Sequence, residues 1–368
     1  MKILVTGGAG FIGSHLVDAL AERHEVVVLD NLEPQVHRGK PKYLNEKVSY
    51  IFGDIRDGDV LRKALEGVEV IFHEAAAVGV GQSMYQIEKY VEVNTMATAK
   101  LLDILVNEEN DVKKLIVASS MSIYGEGAYK CDSCGVVYPK LREEEQLKKR
   151  EWGLRCPNCG EIAKPIPTSE EKPLHPTSIY AITKRDQEEM CLTVGRAYGI
   201  PTVALRYFNV YGPRQSLNNP YTGVCAIFSA RIKNGKPPLI FEDGLQTRDF
   251  VSVHDIVHAN ILAMERNSGN YEVFNVGTGK ATDIITVAET LINLYRRDLK
   301  HEITNKYRAG DIRHCFADIS KIRKKLGFEP KISFEEGMKE LVEWADRTEA
   351  EDRFEIARRE LEERRLVK

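Results

Sequence analysis

Tyr180 and Lys184 lie four residues apart in the stretch YAITK. On a helix that spacing puts both side chains on one face, about one turn apart. A free phenol titrates near about 10. An ammonium at its side, together with the positive ring of a nicotinamide, would favour the phenolate and lower that value. A tyrosine so tuned can take the proton of a sugar hydroxyl while hydride leaves the same carbon. The spacing alone also fits a surface Tyr and Lys on an ordinary helix. Its context adds weight: SSMSIYG closes an apolar, strand-like run, so Ser120 or Ser122 could hydrogen-bond the reacting hydroxyl.

The second group is VTGGAGFIGSH, which follows the first strand-like run and opens a helix-like one. Gly7, Gly10 and Gly13 have the spacing GxxGxxG. The first allows a tight turn, the second lets backbone approach a pyrophosphate, and the third lets helix pack on strand. The helix N-terminus then offers free N–H groups and a favourable dipole. Asp30 ends the second strand-like run, twenty residues beyond Gly10. A carboxylate there accepts hydrogen bonds from an adenosine ribose and repels a 2′-phosphate, so NAD is expected over NADP. Asp54 and Ile55 in GDIRD are placed to flank an adenine, although plain turns also end strands this way. The expected cofactor contacts are Gly7, Gly10, Phe11, Ile12, Gly13, Asp30, Asn31, Asp54, Ile55, Tyr180 and Lys184.

The third group is KCDSCG followed by RCPNCG: Cys131 and Cys134, then twenty-one residues, then Cys156 and Cys159. Four thiolates suit tetrahedral Zn²⁺ at about 2.3 Å, and four protein ligands leave no open position, so the expected site is structural. Neither pair opens a thioredoxin-like helix, which argues against a redox role. Residues 129–165 read as a zinc-ribbon-like insert. A loop that long is improbable without structure of its own, and a bound metal would supply the folding energy its small core lacks. Zinc ribbons often bind nucleic acid, but seven Lys/Arg against six Asp/Glu over 131–165 leave too little charge for a phosphate footprint. An NAD-binding regulator without catalysis would have no use for Tyr180 and Lys184.

These groups need a scaffold. Apolar runs at 2–5, 25–30, 48–54, 68–73, 112–120 and 201–208 alternate with helix-like segments at 12–22, 57–66, 85–109 and 179–198. That alternation predicts a doubly wound, Rossmann-type parallel sheet over residues 1–208. From 209 to 348 turn-rich stretches suggest a smaller substrate-binding lobe, with 271–277 returning to the sheet. The stretch 349–368 predicts a charged helix with a narrow stripe at Phe354, Ala357 and Leu361. The chain has 368 residues, 43% apolar and 29% charged, enough to bury a sizeable core. Its net charge of −3 gives no electrostatic reason to expect nucleic acid or an anionic membrane as partner. No apolar run is long enough to span a bilayer and the N-terminus lacks a signal-peptide pattern, so a cytoplasmic protein is expected. Cys191, Cys225 and Cys315 read as small core side chains.

With TGGAGFIG, GDIRD, FHEAAAVGVGQS, VNTMATA, SSMSIYG, YAITK, LRYFNVYGP, GLQTRDFV and RAGDIRH in order, the chain resembles the extended short-chain dehydrogenases/reductases of the sugar-nucleotide epimerase/dehydratase group. The resemblance runs from residue 1 to about 345, apart from the cysteine segment. It implies that Tyr180 is the acid/base, that Lys184 supports it and holds the nicotinamide ribose, and that Ser120 is the matching serine. It further implies that Ala75, Ala76 and Asn94 line the NAD site. Asn209 would hold a substrate diphosphate, with Arg248, Arg308 and Asp311 on the nucleotide portion. Members that dehydrate or decarboxylate carry a carboxylate beside the serine or threonine, where this chain has Met121-Ser122. The implied activity is therefore NAD-dependent 4-epimerisation of a nucleotide hexose through a transient 4-ketone, without net redox. NLEPQVHRG, AAAVGVGQSMY and NNPYTGV are similar to dTDP-L-rhamnose 4-epimerases, with the UDP-glucose/UDP-galactose type as competitor. Dehydratase, decarboxylase and reductase activities stay open as alternatives. The resemblance also suggests a homodimer through 85–109 and 179–198.

Overall fold

The computed structural model describes residues 1–368. Its first 120 residues hold β1 (Lys2–Thr6), α1 (Phe11–Leu20), β2 (Glu25–Asp30), β3 (Ser49–Phe52), α2 (Gly58–Leu65), β4 (Val70–His73) and β5 (Lys114–Ser120), with a loop joining β2 to β3 and a helical stretch joining β4 to β5. Three further strands, β6 (Ala128–Cys131), β7 (Gly135–Val137) and β8 (Lys164–Ile166), belong to the cysteine segment. They precede the long helix Ile179–Tyr198 and strand β9 (Thr202–Tyr207). The main sheet has seven parallel strands in the order Glu272–Val276, β9, β5, β4, β1, β2, β3. The late strand thus returns to the sheet where 271–277 was expected to.

Consecutive residues of β1 face opposite sides. Ile3 and Val5 join one apolar cluster with Leu16, Val28, Phe72 and Ile116, while Leu4 joins another with Val27, Leu29, Ile71 and Leu115. This is the period-two geometry of a strand buried on both faces. A third cluster, built on Phe228, Val287, Leu291, Met338 and Leu341, forms the core of the second lobe.

The helix expected over 85–109 runs from 87 to 107 and carries an interruption the sequence did not show: Ile87–Tyr90 is followed by a π-helical turn at Val91–Met96 and then by Ala97–Asn107. The wide turn carries Asn94, whose buried amide is drawn to Ala77 and Thr183, and such turns often sit at functional sites.

The cysteine segment is a small sheet of its own. β6 pairs antiparallel with both β7 and β8. The first cysteine pair makes the β6–β7 turn, with Cys131 opposite Gly135. The second is closed by the Gly160 N–H on the Cys156 carbonyl (2.9 Å). Both glycines that follow a pair have positive φ, +76° and +80°, which lets each knuckle fold back. Tyr129, Val137, Leu154 and Ala163 close around Cys131 and Cys156. No helix of the chain is long and apolar enough to cross a membrane.

Candidate active site

A cavity of about 670 Å³ opens at the carboxyl ends of the parallel strands, between the sheet and the second lobe. The glycine turn forms one end. Gly7 has φ +70°, and a Cβ there would lie 2.9 Å from the Ala75 backbone. A Cβ on Gly13 would lie 2.3 Å from the Gly7 carbonyl. Side chains are excluded at both positions, so α1 starts with bare backbone facing the cavity. Asp30 holds this turn: its carboxylate accepts from the Ala9 N–H (3.0 Å) and the Leu32 N–H (2.8 Å). Phe11, Ile12, Asn31, Asp54, Ile55, Ala75 and Ala76 line the same end, and Arg56 pulls the Asp54 carboxyl down to about 2. The donor set and the glycine contacts suit a dinucleotide.

Ser120 ends β5 and Tyr180 lies in the first turn of the helix capped by the Ser178 hydroxyl, which accepts from the Ala181 N–H (3.1 Å). The helix is tied to β5 one residue before Ser120. The Ser119 hydroxyl donates to Glu188 (2.6 Å), which also pairs with buried Arg206. Ser122 donates its hydroxyl to the Ser120 oxygen (2.9 Å). The Tyr180 ring meets Tyr90 edge to face, with 6.4 Å between centroids.

Two sequence expectations change here. Burial pushes the Tyr180 phenol up, and the Ser120 hydroxyl, not Lys184, acts against that rise. Lys184 sits behind the cavity wall, where its ammonium donates to Gln187 (2.8 Å) and burial lowers it to about 8. Asn94 is also behind the wall. Its amide clamps both backbone groups of Ala77 and reaches Thr183, so it fixes the lining segment instead of forming it.

Asn209, Arg248, Arg308 and Asp311 all line the other end. The Arg308 guanidinium lies 5.3 Å from the centre of the Phe241 ring and donates twice to Asp311 (2.8 and 3.0 Å). Burial would push the Asp311 carboxyl up, but Arg308 and Arg248 hold it below its ordinary value. Arg248 spends its donors on the carbonyls of Thr247, Ile312 and Arg313, so it shapes the wall as well as charging it. Asn209, Gln215 and Gln246 line the cavity, and the side-chain oxygen of each is buried without a hydrogen-bond partner. Buried polar atoms of this kind mark where a polar ligand belongs.

Sequence reasoning missed several residues. Glu74 lines the cavity, accepts from the Tyr207 hydroxyl (2.7 Å), and is pushed up to about 7 by burial. FHEAAAVG contained it, but only the fold shows that its side chain turns inward. Gln187 links Lys184 to buried His73, which also contacts Thr6 in β1 (2.9 Å). Phe354, Ala357, Arg358, Leu361 and Leu366 of the C-terminal segment also line the cavity.

The four cysteine thiols converge, with all sulfurs within 4.8 Å of one another and the Cys131–Cys159 pair at 3.5 Å. Sulfurs about 2.3 Å from one Zn²⁺ would form a tetrahedron with edges of about 3.8 Å.

A parallel sheet, a glycine turn at its first helix and a serine and tyrosine at the cavity define a dinucleotide-dependent α/β enzyme of the short-chain dehydrogenase type. The chain belongs to the NAD dependent epimerase/dehydratase family, which its residues 3–143 match. Residues 160–341 match GDP-mannose 4,6 dehydratase. A dTDP-L-rhamnose 4-epimerase from Burkholderia thailandensis is 36% identical, over 93% of this chain and 94% of the relative. A putative UDP-glucose 4-epimerase from Methanocaldococcus jannaschii is 34% identical, over 93% and 97%. Among solved structures, UDP-glucose 4-epimerase from Thermotoga maritima with UDP-glucose superposes with a TM-score of 0.77 at 35% identity, covering 94% of this chain and 99% of that one. UDP-glucuronic acid 4-epimerase from Bacillus cereus with UDP-glucuronic acid and NAD gives 0.76 at 29%, with the same coverage.

Proposed function

We propose that the protein is an NAD-dependent nucleotide-sugar 4-epimerase acting on dTDP-L-rhamnose or on a UDP-glucose/UDP-galactose type substrate. The observation that carries this reading is one continuous cavity with the Ser120–Tyr180 pair along it, the glycine turn at one end and Arg308, Asp311 and Phe241 at the other. Bound NAD would supply the hydride acceptor and donor through which C4 of the sugar is inverted without net redox. Gly7, Gly10, Gly13 and Asp30 hold that cofactor, with Asn31, Asp54, Ile55, Ala75 and Ala76 along it. Tyr180 moves the proton of the C4 hydroxyl, and Ser120 with Ser122 orients that hydroxyl. Lys184, held by Gln187 behind the cavity wall, would turn to the nicotinamide ribose and the phenol once the cofactor is bound. Asn209, Arg248, Arg308 and Asp311 take the nucleoside diphosphate, so residues 209–348 act mainly as the substrate lobe and 1–208 as the cofactor domain. Incubating the protein with a panel of nucleotide sugars and following C4 inversion by NMR tests this. Products altered only by elimination or decarboxylation would overturn it. Elimination is the second reading, favoured by one observation: Glu74 is a cavity carboxyl held near a pKa of about 7.

The same proposal includes one structural zinc per chain on Cys131, Cys134, Cys156 and Cys159. The convergence of four sulfurs within 4.8 Å supports it. It also includes a homodimer through the helices near 85–109 and 179–198, whose outer faces expose Ile87, Met96 and Ile182. Light scattering of the purified protein reads the assembly directly.

A further inference from the structure

The cysteine segment reaches well past its own small core. From its connecting loop, Arg142 enters the body of the protein and is almost fully buried, with 1% of its side chain exposed against 4% for its partner Glu242. Its two terminal nitrogens donate in parallel to the two Glu242 oxygens, both at 2.8 Å, a fork that fixes direction as well as distance. Arg313 donates to the same carboxylate (2.8 Å) and to Asp243. Arg142 also approaches the Asp311 carbonyl at 3.3 Å.

Glu242 directly follows Phe241 and has φ +54°, a conformation that a non-glycine residue holds only where its surroundings impose it. Its N–H bonds the Lys306 carbonyl (2.7 Å). One guanidinium therefore ties together two stretches that wall the cavity: Leu239 to Glu242, with the Phe241 ring, and Arg308 to Arg313, with the Arg308–Asp311 pair. The second stretch is held from the same side by Glu126, just before β6, which accepts the backbone N–H groups of Arg313 (2.5 Å) and His314 (3.3 Å). Arg142 itself does not line the cavity.

We propose that Arg142 is a positioning residue for the nucleoside diphosphate end of the substrate. Through Glu242 and the Asp311 carbonyl it sets the gap between Phe241 and Arg308. The cysteine segment thereby governs substrate affinity without touching substrate. This rests on the nucleotide-sugar reading of the cavity.

The test uses the NAD-loaded protein, with dTDP and UDP as calorimetric probes. Arg142→Lys keeps the charge and removes the fork, and Glu242→Gln keeps the size and weakens the pairing. In both, affinity for the nucleotide that the parent binds should fall about tenfold. KM should rise by the same factor while kcat stays within about twofold and NAD content stays as in the parent. Thermal melting should fall, because a buried charge loses part of its compensation, but should remain one cooperative transition. Affinity within twofold of the parent in both variants overturns the proposal. So does a kcat loss as large as the KM rise, which would signal general damage. A parent that binds neither nucleotide overturns the nucleotide-sugar reading, and this proposal with it. Cys156→Ser should also weaken binding, yet add less than twofold on the Arg142→Lys background. Full additivity would show that the segment acts by another route.

Discussion

The two ends of the cavity are built in different ways. At the cofactor end, the turn Gly7–Gly13, Asp30, Ser120 and Tyr180 come from short contiguous motifs, each at the end of a strand or the start of a helix. At the nucleotide end, Arg142, Phe241, Glu242, Arg308, Asp311 and Leu366 meet from stretches that lie far apart in the chain. The cofactor end uses bare backbone, which the fold itself supplies. The nucleotide end uses buried charge, which must be compensated pair by pair. On the proposed function, the chemistry would rest on the parallel-sheet scaffold, while the nucleotide end is braced by two further segments, 128–166 and 349–368.

The sharpest way to separate the ends is to disable one without moving the other. Tyr180→Phe removes only the proton-transfer group. Turnover should fall at least about 10³-fold, while NAD and nucleotide binding stay as in the parent. Steady-state rates alongside released-cofactor assays decide it, and turnover within tenfold of the parent would break the assignment.

Cys156→Ser attacks the other end. Zinc content should drop from about one per chain to near zero. Residues 128–166 should become the first site of proteolysis while the parallel sheet still melts cooperatively. Elemental analysis and timed digestion read both, and zinc near zero in the parent would remove the metal from the account.

The same contrast explains what the sequence disclosed. The seven-stranded sheet, the return of 272–276 and the placement of the glycine turn, Ser120 and Tyr180 on one cavity were legible because each leaves a local signal: a period, a glycine spacing, a YxxxK. The order of strands and the inward turn of Glu74 were not, since both depend on long-range packing. The YxxxK spacing was legible and led to Lys184 being expected beside Tyr180, but the turn of its ammonium toward Gln187 was not legible. The stripe at Phe354, Ala357 and Leu361 was visible as amphipathic, whereas its place over the cavity follows only from the fold. Arg142 looked like one more charge in a mixed-charge loop.

Glu74 sharpens the comparison from inside the cofactor end. Burial raises its carboxyl from 4.5 to about 7, so the folded state holds a proton that the unfolded chain has lost. The stabilisation is complete below about pH 4.5 and is lost as pH rises through 7. Glu74→Gln cannot ionise. Relative to the parent it should gain stability between pH 5 and 8, by at most about 3 kcal/mol. Denaturant melts at both pH values measure the gain, and equal differences at the two would show that Glu74 is not held neutral.

The smallest expected effect lies in the tail. Glu360 accepts hydrogen bonds from Tyr85 (2.7 Å) and Tyr221 (2.5 Å), and Arg364 lies over the Tyr85 ring. Farther along, the Leu366 carbonyl accepts from the Ala309 N–H (2.8 Å), next to Arg308, and Lys368 reaches Glu144 of the cysteine segment (2.7 Å). The tail therefore closes over the nucleotide end and touches the other added segment. The Tyr221 and Tyr85 hydroxyls hold the Glu360 carboxyl below its ordinary value. That contribution is present at neutral pH and is lost as pH falls below 4.5 and through the lowered value. Because the clasp is partly open to solvent, Glu360→Gln should cost only about 1 kcal/mol. The loss should appear as faster amide exchange over 354–363 at pH 7, with exchange in β1 and β5 unchanged and no difference between variant and parent near pH 3. If exchange speeds up equally in the sheet, the tail is part of the main cooperative core, and the division between shared scaffold and added segments does not hold there.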